Sequence, residues 1–141
     1  YVVNYDDYAG LGSGSIGYLH GTCYANTFDI REYIDRVMRG EIPLAAAKPF
    51  STGEQVQYDF LMKLFGMFLD VAELRKKYGR TFDWHFGKIL LPFRLAGAVR
   101  YDYKKDWLYL TPQGRYYWVV MMREFFTAVN NFRDYCRQEN P

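Results

Sequence analysis

Between Val56 and Leu69 the apolar residues Val56, Phe60, Leu61, Leu64, Phe65, Phe68 and Leu69 return at intervals of three and four. That period predicts one helix with a single buried stripe. Ser51, followed three residues later by Glu54, has the spacing of a capping box and sets its start. Upstream, Phe28, Ile30, Tyr33, Ile34 and Val37 predict another helix, capped by Asn26 or Thr27 and ended by Gly40 and Pro43. Ala45, Ala46 and Ala47, leading to Lys48-Pro49, read as a connection rather than a core element. Downstream, Asp70 or a neighbour opens a short helix carrying Val71, Leu74 and Tyr78, which Gly79 stops. Thr81 is placed to cap a helix with Phe82, Phe86, Ile89, Leu90 and Phe93 on one side, and Pro92 should distort its end.

Val99–Tyr103 and Trp107–Leu110 flank the turn-like Lys104-Lys105-Asp106 and predict a hairpin. Thr111 and Pro112 then start a last helix, Thr as cap and Pro at the first helical position. Its stripe runs through Trp118, Met122, Phe125, Phe126, Val129, Phe132 and Cys136. Three helices, a β-hairpin and a closing helix follow the order of a winged-helix module. The expected fold is therefore mainly α with a small β-hairpin, and winged-helix-like at its C-terminal end.

Residues 1–26 break this pattern. Tyr1-Val2-Val3 favour a strand edge, and Gly10-Leu11-Gly12-Ser13-Gly14-Ser15-Ile16-Gly17 follows. So many glycines in so short a stretch preclude a stable helix, since each costs about 1 kcal/mol there relative to Ala. Tyr18-Leu19 return to β-type residues before the His20-Gly21 turn. Strand edge, glycine loop and short strand have no evident partner, so a sheet is expected from sequence upstream. The chain opens on Tyr1 rather than Met, which fits a piece of a longer protein.

With 18 Lys plus Arg against 16 Asp plus Glu, the net charge is only +2. The recognition helix of a winged-helix DNA reader would carry Arg80, Lys88 and Arg94 beside Trp84, Phe86 and Phe93. That is too little positive charge for a face whose affinity must come from phosphates, so no nucleic-acid partner is expected. No apolar run reaches the roughly 20 residues of a membrane span, and no signal peptide opens the chain. Two cysteines provide neither a disulfide framework nor a multi-thiolate site, so a reducing cytoplasm is the expected location. Aromatic residues make up 20% of the chain, 14 of them Tyr, which implies either a Tyr-rich core and rim or a docking face.

Gly12-Ser13-Gly14-Ser15-Ile16-Gly17 matches the dinucleotide fingerprint letter for letter. The fingerprint also needs a helix opening at the glycines, and Tyr18-Leu19-His20-Gly21 does not read as one. Two readings remain: close backbone approach to a flat or small ligand, or a tight turn without one. His20, in a probable turn, reads as a solvent-exposed histidine or as an iron ligand or proton relay; His85 reads as a helix-face residue. Cys23 reads as a free loop thiol and Cys136 as core. Asp6 and Asp7 are adjacent, so in a strand they point to opposite faces and form no acid–base pair.

Three motifs, in order, carry a resemblance: Gly10 to Gly17, Cys23-Tyr24-Ala25-Asn26, and Leu110-Thr111-Pro112-Gln113-Gly114-Arg115. Together they resemble the C-terminal portion of oxygen-independent coproporphyrinogen III oxidases and their radical SAM relatives. The resemblance implies that residues 1–26 are the end of a catalytic barrel with its glycine-rich loop, 27–50 a connecting helix and linker, and 51–141 a helical winged-helix-like domain. It implies a parent enzyme, oxidoreductase or methyltransferase, that uses S-adenosylmethionine and a [4Fe-4S] cluster held by a Cys-x-x-x-Cys-x-x-Cys motif. This chain has no such motif, so the cluster ligands are expected upstream and the stretch alone inactive. By position, Ile16 would contact S-adenosylmethionine, with Gly12, Gly14 and Ser15 shaping that contact; no catalytic residue and no metal ligand is assigned. Tyr116-Tyr117-Trp118 and Phe125-Phe126 depart from the biosynthetic oxidases and look more like the branch that opens the haem ring anaerobically. The implied partners are the upstream barrel of the same protein and a tetrapyrrole. The contrasting reading is a non-catalytic winged-helix module that binds a protein through its aromatic face.

Overall fold

A computed structural model describes residues 7–139, with the side chains at 125, 129 and 132–139 left out of the description. The expected strand at Tyr1–Val3 lies outside the described residues, as do Asp6 and the side chains of Phe125, Val129, Phe132 and Cys136. The protein is mainly helical with two small antiparallel sheets. It divides into two compact units, one spanning 51–122 and the other 7–50 together with the end of the last helix.

The unit 7–50 contains β1 (Ile16–Leu19), β2 (Thr22–Asn26), α1 (Ile30–Met38) and β3 (Leu44–Pro49). Its strands form one antiparallel sheet in the order β1-β2-β3. The chain therefore supplies the sheet that was expected from upstream sequence, and the supposed alanine connection is its third strand. Small side chains hide such a strand from pattern reading. Leu44–Pro49 is exposed along its whole length, so burial leaves no alternation to read. Tyr8 adds one further bridge, exchanging two backbone hydrogen bonds with Tyr18 at 2.7 and 2.9 Å.

Helix α1 starts two residues later than predicted. Asp29 is its cap, accepting from the Glu32 N–H at 2.9 Å, while Asn26 ends β2 and Thr27 lies between the two elements. Phe28 thus precedes the helix instead of joining its stripe. None of the helix is buried: Ile30, Ile34, Val37 and Met38 share one exposed face.

In the unit 51–122, α2 (Thr52–Lys63) begins at the predicted capping box, with Ser51 and Glu54 bonded reciprocally. It ends earlier than its apolar stripe. A short 3₁₀ turn at Leu64–Gly66 and a left-handed Met67 redirect the chain into β4 (Phe68–Asp70). Leu69 stays buried because alternation in a strand replaces the helical period. Asp70 caps α3 (Val71–Tyr78) by accepting from the Glu73 N–H at 3.0 Å. Thr81 precedes α4 (Phe82–Leu95) without a side-chain capping bond, and Pro92 sits inside that helix. Strands β5 (Val99–Asp102) and β6 (Trp107–Leu110) form the predicted hairpin, and β4 joins it in the order β4-β6-β5.

Val56, Phe60, Leu64, Leu69, Val71, Leu74, Phe82 and Leu108 are fully buried in one cluster, closed on one side by Trp118 of α5 (Pro112–Glu139). Thr111 holds the start of α5. Its hydroxyl donates to the Gly97 carbonyl at 2.8 Å and accepts from the Gly114 N–H at 3.0 Å. Gly114 is required by close approach, because a Cβ there would lie 1.8 Å from the Ala98 carbonyl oxygen. Among the described residues no helix is long and apolar enough to cross a membrane.

Candidate functional site

The glycine loop is held from below by β2 and α1. Tyr24 and Asn26, two residues apart in β2, project to the same face of the sheet, and both reach the loop. The Tyr24 hydroxyl accepts from the Gly10 N–H at 2.9 Å, and its ring lies across Gly17, where a Cβ would fall 2.3 Å from the ring. The Tyr33 hydroxyl, from α1, accepts from the Gly12 N–H at 3.0 Å. Gly14, at φ +67°, donates its N–H to the Thr27 carbonyl at 2.8 Å and rests on the Phe28 ring.

Asn26 is 4% exposed, and its side-chain amide faces three acceptors: Ser15 Oγ at 2.9 Å, the Gly10 carbonyl at 3.1 Å and the Gly12 carbonyl at 3.3 Å. Two carbonyls in that direction require the NH₂ end of the amide to point at the loop. The Asn26 N–H also donates to the Ser15 carbonyl at 2.9 Å, where the β2–β3 register shifts by a bulge. Ser15 donates its own hydroxyl to the Gly12 carbonyl at 2.7 Å. Ser15 is therefore a brace within the loop.

This geometry decides what the loop can hold. The N–H groups of Gly10, Gly12, Gly14 and Ser15 all bond inside the loop or to its supports. A phosphate cradle needs such donors facing outward, at the start of a helix. Here the glycines lead into β1, so the dinucleotide reading is excluded by both the donors and the following element. Gly12, at φ +102°, has open space where a Cβ would stand. Ile16 opens β1 at 37% exposure, and its cross-strand neighbours on the same face are Ala25 and Ala46. The result is a shallow apolar strip bearing one large side chain. Such a surface offers apolar contact alone, and these three residues provide no partner for the sulfonium, ammonium or carboxylate of S-adenosylmethionine.

The cluster is a different matter. Among the described residues no three His, Cys, Asp or Glu side chains come together. Cys23 is half-buried, and burial pushes its thiol above the ordinary range, against the thiolate a metal ligand must be. The described donors do not fit a [4Fe-4S] group, and the sequence has only two cysteines. His20 lies at the β1–β2 turn with its ring 3.7 Å from the Asp7 carboxylate, and its own N–H donates to that carboxylate at 2.9 Å. Among the described residues His20 comes together with Asp7 and with no other candidate ligand.

Sequence reading singled out Gly12, Gly14, Ser15 and Ile16, and the fold brings the first three into one braced loop that runs directly into Ile16. It missed the supports. In the sequence pattern Tyr33 reads as an apolar stripe position and Asn26 as a possible cap. The available signal was Cys23-Tyr24-Ala25-Asn26, where an alternating strand puts Tyr24 and Asn26 on one face.

No known family profile matches the chain. Over 113 residues it is 29% identical to the haem chaperone HemW of Bacillus subtilis, a match covering 78% of this chain and 29% of that protein. Its fold matches part of coproporphyrinogen III oxidase (HemN) from Escherichia coli, described as a radical SAM enzyme. The TM-score is 0.56 at 20% identity, over 77% of this chain and 26% of the other. The chain thus spans less than a third of the length of the proteins it matches. Over most of its own length it is similar to a region of coproporphyrinogen oxidase-like proteins, which agrees with the resemblance carried by the three sequence motifs.

Proposed function

We propose that this chain is the C-terminal part of a radical SAM enzyme of porphyrin or haem metabolism, in which it covers the active site and completes the S-adenosylmethionine pocket. The observation that carries the reading is the glycine loop: the N–H groups of Gly10, Gly12, Gly14 and Ser15 are internally satisfied, and the loop delivers Ile16 onto an open apolar strip. Ile16 makes the contact with S-adenosylmethionine, and Gly12, Gly14 and Ser15 hold the backbone that presents it. A [4Fe-4S] cluster would take its ligands from outside this chain and would supply the redox chemistry; residues here would position the ligand and exclude water. On this reading residues 1–26 are the end of the barrel with its glycine-rich loop, 27–50 carry α1 and the strand β3 that pairs back onto β2, and 51–141 run on into a winged-helix-like domain. The three helices, the hairpin and β4 support that last assignment. The unburied apolar face of α1 meets the upstream barrel of the same protein. Similarity to a haem chaperone and to a coproporphyrinogen oxidase supports a tetrapyrrole as the molecule handled.

The test is Ile16→Asp in the full-length, cluster-loaded protein. S-adenosylmethionine binding is expected to fall while the helical content stays as in the parent; unchanged binding removes Ile16 from the pocket. Titration with haem and with a coproporphyrin checks the tetrapyrrole, and no spectral change with either rejects it.

A second reading, a non-catalytic module that docks on a protein partner, is favoured by one observation. The outer face of the β4-β6-β5 sheet, ordinarily polar, carries Phe68, Trp107 and Tyr109 in mutual ring contact, with Phe68 exposed. An upstream Cys-x-x-x-Cys-x-x-Cys motif in the parent gene decides for the enzyme; its absence decides for the module.

A further inference from the structure

We infer that Asn26 is the positioning residue of the S-adenosylmethionine contact, an inference that rests on the pocket reading above. It touches no ligand in that scheme and acts through the loop. One buried side-chain amide shares two hydrogens among Ser15 Oγ, the Gly10 carbonyl and the Gly12 carbonyl, while the same residue's backbone N–H holds the Ser15 carbonyl. These bonds span the loop from its first glycine to the residue before Ile16. No other side chain among the described residues makes so many bonds to the loop: Tyr24 and Tyr33 accept one backbone N–H each.

The chemistry demands this residue type. The acceptors are two carbonyls and a hydroxyl whose own hydrogen is already given to Gly12, so the partner must be a donor with more than one hydrogen. Asp would aim oxygen at carbonyl oxygen, and Ser is too short and has one hydrogen. Lys would bring a charge into a site that is 4% exposed. Without the amide, Ser15 Oγ and the Gly10 carbonyl lose this donor, the Gly12 carbonyl keeps only its bonds from Ser15, and the loop samples backbone states that glycines permit freely. Ile16 then begins β1 from a mobile base, and a ligand must select the ordered fraction of the population.

The experiment uses the full-length protein and three variants: Asn26→Ala, Tyr33→Phe and Ile16→Asp. Three properties are read: the dissociation constant for S-adenosylmethionine, hydrogen exchange over residues 10–17, and the thermal midpoint. Asn26→Ala is expected to raise the dissociation constant about tenfold, which corresponds to roughly 1.4 kcal/mol. It should also speed exchange over 10–17 and leave exchange in the core of 51–122 as it was. At saturating S-adenosylmethionine the turnover should return, since the defect is in population and not in chemistry. Tyr33→Phe removes one support and should act in the same direction by about threefold, and it keeps the test open if Asn26→Ala does not fold. If Ile16→Asp weakens binding while the Asn26 and Tyr33 variants bind normally, the positioning role is overturned and the pocket reading stands. If Ile16→Asp binds normally, the pocket reading falls and takes this inference with it.

Discussion

The two units are held together by different means. In 51–122 eight large apolar side chains are completely buried, and Phe82 stacks on Phe86 with ring centroids 4.8 Å apart. In 7–50 the apolar face of α1 and the whole of β3 are exposed, and order comes from polar atoms of Tyr24, Asn26, Thr27 and Tyr33 meeting the backbone of a glycine loop. Burial of a core is tolerant of detail at about 25 cal/mol per Å², whereas a hydrogen-bonded loop depends on each donor finding its acceptor. The first kind of unit keeps its shape; the second places a few atoms accurately at a surface.

The largest expected effect lies in the core. Phe82→Ala should destabilise the protein by about 3–5 kcal/mol in urea unfolding, because it empties a fully buried position between Tyr78 and Phe86. A loss under about 1 kcal/mol would mean that the core collapses around the gap and is less rigid than its packing indicates. Next comes Gly17→Val in the other unit. The new side chain collides with the Tyr24 ring, so the Tyr24–Gly10 bond must break, at a cost of about 1–3 kcal/mol. Hydrogen exchange should show the damage over residues 10–26 and none in 51–122; damage in both would erase the distinction.

A smaller effect concerns a polar latch inside the core unit. Asp106, at the hairpin tip, accepts from the Tyr101 hydroxyl and pairs with Arg75 at 2.6 Å, while its carbonyl receives the Val71 N–H at 3.0 Å. The Tyr101 bond and then Arg75 hold its carboxyl below the usual range. Its contribution is thus present above the unfolded carboxylate value, about pH 4, and is lost as pH falls through the lower folded value. Burial, then Asp106, pushes the Tyr101 hydroxyl up to about 12, so that group stabilises below its unfolded value and ceases to as pH rises toward about 12. Asp106→Asn should cost on the order of 1 kcal/mol near neutral pH and flatten the acid side of the stability profile. An unchanged acid slope would move the latch to other carboxylates. The smallest effect is expected from Ile34→Asp in this chain by itself, within about 0.5 kcal/mol, since the residue is 52% exposed on α1; in the full-length protein, where the barrel would cover that face, the loss should be larger. A loss of 2 kcal/mol or more would show that this face is covered in solution.

Much of the core unit was legible in the sequence because its signals are local. The Ser51–Glu54 box, the Asp70 cap and the Thr111-Pro112 start each concern residues within one turn of one another. Where the reading failed, a long-range contact had overridden a local period. The helical stripe runs on to Leu69, yet pairing with Tyr109 and Leu108 draws Phe68 and Leu69 into β4. Ala45–Ala47 give no period at all, and only pairing across to β2 makes them a strand.

For the candidate site the division is sharper. The glycines by themselves established that no stable helix spans 10–17, and Tyr18-Leu19 before the His20-Gly21 turn established that a strand follows. Which atoms brace that turn was decided only by tertiary structure. A buried amide finds its acceptors through the register of β2 against β1, and a tyrosine on α1 closes on Gly12 only once Asp29 has set where that helix begins. Glycine leaves the backbone many conformations of nearly equal energy, so the one adopted is chosen by partners distant in sequence.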